Sequence, residues 1–215
     1  MPHPHLEQLI ATLETLRAPG GCAWDREQTH ESLIRYLIEE SYELVDAIEA
    51  GDDRELMEEL GDVLYQVVFH SDIAAEQGRF TLEDVAAHMN AKMIGRHPHV
   101  FGDKPQLGTG DEVAAVWDDL KRVEKPERTS VLDGVPQAMP SLLLADKLLG
   151  KAAPVGVTVD PVGEWASEDE LGAQLLAIVA AAKQQGMEAE RALRGALRQL
   201  QNDVRSAESA SQSVE

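Results

Sequence analysis

The sequence lacks most of what would tie a chain to a membrane, to a nucleic acid or to an oxidising compartment. It holds a single cysteine, Cys22, so no disulfide can form within the chain and its core must hold without staples. No stretch approaches the roughly 18 to 20 consecutive apolar residues of a membrane span. The opening Met-Pro-His-Pro-His also lacks the apolar centre of a signal peptide. A cytoplasmic protein with no membrane partner is therefore expected. Basic residues are scarce: 19 Lys and Arg stand against 39 Asp and Glu, a formal charge of −20. Such a field repels a polyanionic backbone, so nucleic acid is not an expected partner. A small anion can bind only where cations cancel the local carboxylate charge. Aromatic residues make up 4%, and no run of alternating β-branched residues is bounded by hairpin signals, which removes the β classes.

What remains is a helix former's composition, with 43% hydrophobic residues over 215 positions, enough for a core. The fold class is all-α, an antiparallel helical bundle. Helices are expected over Leu6 to Arg17, His30 to Ala50, Asp53 to Gln77, Leu82 to Gly95, Gly110 to Arg122, Pro140 to Lys151, Asp169 to Gln185 and Glu188 to Ala207. Thr81 with Asp84 forms a capping-box pattern, and Gly51, Gly78 and Gly186 stand where helices should stop. Pro and Gly mark loops over 97–108 and 125–140. The second loop is read as a linker between a domain at 1–124 and a helical region at 141–207, with a short disordered tail at 208–215. A faint internal repeat joins them. Glu59-Leu-Gly-Asp62 followed by Gln77-Gly78 is echoed by Glu170-Leu-Gly-Ala173 followed by Gln185-Gly186. The second copy has Ala173 in place of an acid and no acidic helix before it, so it is expected to be degenerate scaffold.

The chemistry is concentrated in the second and third helices. Leu33, Tyr36, Leu37, Leu44, Ala47 and Ile48 form one apolar stripe, with Glu40 at its middle and Glu43 on its flank. The next helix repeats the anomaly: Leu56, Leu60, Val63, Val67 and Ala74 share a face on which Glu59 is central and Asp62 lies at the edge. A buried unpaired carboxylate costs several kcal/mol or takes a proton. The connection around Gly51 to Asp53 is short, so the helices should pack antiparallel and bring both acidic pairs to one height. Four oxygen donors without cysteine or a paired histidine favour Mg²⁺, or Mn²⁺, over Zn²⁺. Taken singly, each Glu of so acidic a chain reads as a solvated surface charge. The four together, set in apolar stripes, do not.

These residues resemble a known family. Glu40-Ser-Tyr-Glu43 with Glu59-Leu-Gly-Asp62 is similar to the E-x-x-E and E-x-x-D signature of the all-α nucleotide pyrophosphohydrolases, which include MazG and the dimeric dUTPases. Gly21-Cys22-Ala23-Trp24-Asp25 with Gln28-Thr29 resembles the G-C-P-W-D-x-x-Q-T element of MazG, with Ala23 in place of the usual proline. Arg96-His97-Pro98-His99-Val100-Phe101 resembles its R-H-P-H-V-F segment, and Ser130 to Pro136 the segment joining its two tandem copies.

The resemblance implies a Mg²⁺-dependent hydrolase that converts a nucleoside triphosphate and water to the monophosphate and pyrophosphate, in nucleotide-pool house-cleaning. It implies metal ligation by Glu40, Glu43, Glu59 and Asp62, phosphate contacts from Lys92 and Arg96, and a nucleotide-contacting Trp117. Glu39, beside the cage and not needed as a ligand, is the candidate general base. By composition alone Lys92 and Arg96, spaced i and i+4, also read as surface cations, Trp117 as core, Trp24 as a loop anchor and His70 as a satisfied core histidine. His97 and His99 are separated by Pro98 in a loop and have no helical His partner for a metal.

A homodimer is expected, because bundles of this kind complete their core across a two-fold axis. The competing class is a nucleotide or alarmone binding regulatory protein without turnover. A redox di-iron bundle would need Glu-x-x-His pairs, which the acidic i+3 partners Glu43 and Asp62 exclude. A purely structural helical module would leave Glu40 and Glu59 unexplained.

Overall fold

Capping residues set the helix starts in the computed structural model, which describes residues 3–110, 112, 113, 116 and 124–212. Helix α1 runs Pro4–Arg17, opening on a proline whose missing N–H no helical carbonyl needs. A short helix α2, Ala23–Glu27, follows, then α3, His30–Ala50. Thr29 caps α3 in a reciprocal box with Ser32. Gly51, at φ 70°, ends it in the left-handed conformation open to a residue without a Cβ. Asp52 then accepts from Arg54 and Glu55 N–H and starts α4, Asp53–Glu76, so two residues turn the chain through a hairpin. Thr81 and Asp84 form the expected box at the head of α5, Leu82–Arg96, and α6 is a single turn, Pro98–Phe101. The expected helix from Gly110 to Arg122 falls mostly on residues outside those described.

The chain divides into two compact units, residues 1–115 and 116–215. In the first, α3 packs along α4, with α1 and α5 also against α4. Its core is Leu13, Leu33, Val68, Phe69 and Ile73, closed by Leu9, Ile10, Tyr36, Tyr65 and Leu82. Burying each large side chain of that set contributes about 1.5–3 kcal/mol. Arg17 locks the layers: it donates to Asp72 at 2.5 Å, to Glu76 at 2.6 Å and to the Asp25 carbonyl at 2.7 Å. The loop from α1 to α2 turns so tightly that a Cβ at Gly21 would collide with the carbonyls of Thr15 and Leu16.

In the second unit, α7 (Ser141–Ala152) packs on α9 (Ala189–Gln212), with α8 (Glu168–Gln184) touching α9. Leu144, Leu148 and Ala152 meet Leu197, Leu200 and Val204, and Leu132 and Val135 from the stretch read as a linker are buried among them. α9 continues past Ala207 to Gln212. Its Glu208 is tied down, accepting from Ser130 Oγ at 2.7 Å and Val131 N–H at 2.8 Å, which is why the last residues described are helical and not loose. Glu170, the echo of Glu59, spends its carboxylate on the Ala166 N–H at the head of α8. Among the described residues no helix is long and apolar enough to cross a membrane.

Candidate metal centre

The hairpin geometry decides which side chains can meet. Glu40 and Glu43 lie one turn apart on α3, Glu59 and Asp62 one turn apart on α4, and the two-residue connection holds the pairs at similar height. One ligand oxygen each from Glu40, Glu43 and Glu59 lies within 4.8 Å of the others. Among the described residues this is the group of three or more potential ligands that comes together. Asp62 is exposed beside it, near enough that its charge raises both Glu40 and Glu59. Glu39 is exposed on the next position of α3.

The electrostatics are those of crowded like charges. Burial, then the charges of Asp62, Glu43, Glu59 and Glu39, push the Glu40 carboxyl above the usual carboxylate range. Burial, then Glu43, Asp62, Glu58 and Glu55, do the same to Glu59. Glu59 Oε2 is buried and accepts no hydrogen bond. The donor set is all oxygen, anionic and crowded, and its buried lone pair is unused. Those are the properties that a hard divalent cation satisfies and a proton satisfies only in part. The cluster can therefore hold a divalent metal.

The apolar stripes do not lie where periodicity alone placed them. Glu40 and Glu59 are half-buried and Glu43 exposed, while Leu37, Ile48, Leu60 and Val67 are also exposed, at 37%, 59%, 51% and 40%. Within one chain, Leu33 and Ala47 are the buried residues of α3. The hairpin is thus covered on the side facing α1 and the core, while Leu37, Ile48, Leu60 and Val67 stay exposed among the described residues.

Lys92 and Arg96 are half-buried one turn apart on α5, the helix packed against α4. Trp117 lies outside the described residues. His97 Nδ1 is 2.6 Å from the Met93 carbonyl, which accepts from it, so this ring closes the end of α5. Trp24 is anchored edge-on against Tyr36, with ring centroids 5.7 Å apart, yet remains 48% exposed.

His70 is not the fully satisfied histidine that its apolar face suggested. Its Nδ1 lies 2.7 Å from His30 Nδ1, with the rings 3° from parallel, while His30 Nε2 faces the Arg79 guanidinium. Arginine can only donate. His30 Nε2 must therefore be unprotonated, His30 Nδ1–H donates to His70 Nδ1, and the proton of His70 is left on Nε2, buried without a partner. Gln66 was missed by the sequence reading although the signal was there: it stands four residues after Asp62 and seven after Glu59, a polar residue on the same stripe.

A family model matches the segment that carries the carboxylates. The model of the MazG nucleotide pyrophosphohydrolase domain matches residues 28–101, which span α3, α4 and α5. The chain is 42% identical over 211 residues to the nucleoside triphosphate pyrophosphohydrolase/pyrophosphatase MazG of Thermotoga maritima, covering 89% of this chain and 81% of that one. It is 35% identical over 229 residues to the nucleoside triphosphate pyrophosphohydrolase of Escherichia coli, covering 94% and 87%. A crystal structure of a mazG-related protein from Thermotoga maritima aligns with 54% of this chain and 98% of its own, at 26% identity and a TM-score of 0.46.

Proposed function

Because this chain belongs to the MazG nucleotide pyrophosphohydrolase family, we propose that it is a Mg²⁺-dependent enzyme that splits nucleoside triphosphates into monophosphate and pyrophosphate. The observation that carries the reading is the meeting of Glu40, Glu43 and Glu59 within 4.8 Å, with Asp62 beside them and a buried Glu59 oxygen unused. Mg²⁺, or Mn²⁺ in its place, would be held by these four carboxylates and would supply the positive charge that phosphoryl transfer needs on its oxygens.

The chain's own residues do the rest. Monophosphate and pyrophosphate arise when water attacks the α-phosphorus and the bond from it to the bridging oxygen breaks. Glu39, adjacent to the cage and free of a ligand's duty, takes the proton of that water. Lys92 and Arg96 donate to the phosphate oxygens from one face of α5. Trp117 stacks on the nucleotide. The region from 141 to 207 is a degenerate second copy that serves as scaffold, and residues 1–124 carry the active centre. The working role is nucleotide-pool house-cleaning in the cytoplasm.

A homodimer fits the same reading. Ile34, Ile38, Val45 and Ile48 form a second stripe along α3, each 45–59% exposed, and Met57 and Leu60 continue it on α4 at 71% and 51%. Exposed apolar residues along a hairpin of an otherwise strongly acidic chain are what a second copy would cover.

Purified protein incubated with each nucleoside triphosphate and Mg²⁺ tests the proposal, with monophosphate and pyrophosphate as the readouts. Turnover that vanishes in Glu59→Ala supports it. Nucleotide binding with no pyrophosphate released would replace it with a regulatory binding protein.

A further inference from the structure

The link between α4 and α5, residues 77–81, follows local rules at both ends. Gly78 takes φ 66°, which lets the Arg79 N–H reach back to the Ala74 carbonyl at 3.0 Å and close α4, and Thr81 caps α5. The Arg79 side chain leaves the link altogether. Its guanidinium passes 5.6 Å from the Phe80 ring centre and ends on Nε2 of His30, the first residue of α3. Beyond His30 stands His70, Nδ1 to Nδ1 at 2.7 Å with the rings stacked. One arginine thus ties the α4–α5 link to the start of α3 through a pair of imidazoles.

The tie holds for one proton count only. With one proton on each ring, Arg79 donates to His30 Nε2 and His30 Nδ1–H donates to His70 Nδ1, so every contact pairs a donor with an acceptor. A further proton on His70 Nδ1 must be accepted by His30 Nδ1. The proton of His30 then moves to Nε2, where it meets the guanidinium donor to donor. A further proton on His30 Nε2 meets the guanidinium at once. The group that gives way is Arg79, because it is exposed and the two rings are half-buried.

The surrounding charges suit that exchange. Glu31, the next residue of α3, is exposed and its charge acts on both His30 and Arg79, so it stands ready to receive the guanidinium. Asp72 and Glu76 of α4 are engaged by Arg17 of α1, and Asp84 of α5 by Thr81. The carboxylate cluster is remote. Glu40 lies ten residues after His30 and Glu59 eleven before His70, about 15 Å along each helix.

We propose that His30 and His70 form a proton-operated latch: uptake of one proton by the pair expels Arg79 and frees the link between α4 and α5. Burial, then His30, holds His70 below the ordinary histidine value of 6.5, so the latch is closed at neutral pH and opens in acid. The link leads directly into α5, the helix on which Lys92 and Arg96 stand. Acid thus reaches that helix through groups that belong to no part of the carboxylate cluster.

Histidine ring-proton NMR and amide hydrogen exchange between pH 7.5 and pH 5 test this on the whole chain, without metal or nucleotide. The His30 and His70 ring signals should move together, as one shared step. In Arg79→Met the midpoint of that step should rise by at least about half a unit, since proton uptake no longer displaces a guanidinium. Protection of the Gly78 and Arg79 amides, corrected for intrinsic exchange and referred to amides of the second unit, should fall at least about fivefold on acidification of the wild type. In Arg79→Met it should be low already at pH 7.5 and change little. A nearby charge alone would shift the midpoint, so both results are required. An unshifted midpoint in Arg79→Met, or equal protection of the link at both pH values in the wild type, overturns the proposal.

Discussion

His30 and His70 face each other Nδ1 to Nδ1 at 2.7 Å, across 40 residues of sequence, and join the start of α3 to the last turns of α4. Only one proton fits between the two nitrogens, and with Arg79 on His30 Nε2 the donor of the pair is His30 Nδ1. Burial, then the neighbouring His30, holds the His70 pKa below its ordinary value. A histidine with a depressed folded pKa contributes stability that is present above the unfolded value of 6.5 and is lost as pH falls through the folded one. The urea midpoint should therefore drop on acidification from pH 7.5 to 5.5. His70→Asn should be less stable at pH 7.5 and show a shallower drop; an unchanged pH slope in that variant would exclude the pair as its source.

Arg17 is the second long-range tie. Its side chain is 5% exposed and reaches Asp72, Glu76 and the Asp25 carbonyl, with the guanidinium 5.3 Å from the Phe69 ring centre. Glu76 is largely in solvent and contributes little. Asp72, at 25% exposure, would be left without its partner. Arg17→Met should cost about 2–4 kcal/mol in urea unfolding. Arg17→Lys should recover less than half of that, because an ammonium cannot serve three acceptors held in a fork.

The end of α9 offers a third measurement, in the second unit. Glu208 accepts from Ser130 Oγ and Val131 N–H, beside the buried Leu132. Glu208→Ala should destabilise that unit by about 1–3 kcal/mol. Truncation after Ala207 should do at least as much. No change in the unfolding of either variant would show that the contact carries no stability.

Much of the first unit was legible because its punctuation is chemical. Gly51 and Thr81 stop or cap helices by mechanisms that a sequence displays, and α3 occupies the span that its pattern implied. The approach of Glu40, Glu43 and Glu59 to one another follows from the two-residue turn, which leaves little freedom of register; Asp62, expected with them, stands exposed outside that group. Helices α2 and α6, of five and four residues, are too short to show a period. Burial was legible only by half. Periodicity says that Leu37, Ile48 and Leu60 share faces with the acids; it cannot say whether those faces are covered, and among the described residues all three are exposed. The pairing of His30 with His70 had no local signal, since the two residues meet only through the packing of α3 on α4. Helical character at Glu208 was hidden for a similar reason, because what holds it is Ser130, far away in the chain.

The most direct measurement is the binding of Mn²⁺ to the purified chain without nucleotide, followed at pH 7.5 and at pH 5. Protonated carboxylates do not ligate, and Glu40 and Glu59 both titrate above the usual range. The account predicts saturable binding at pH 7.5 that weakens at pH 5, and a loss of at least about tenfold in affinity in Glu59→Gln, as removal of one of four charged ligands implies. Equal affinity in wild type and Glu59→Gln would contradict it.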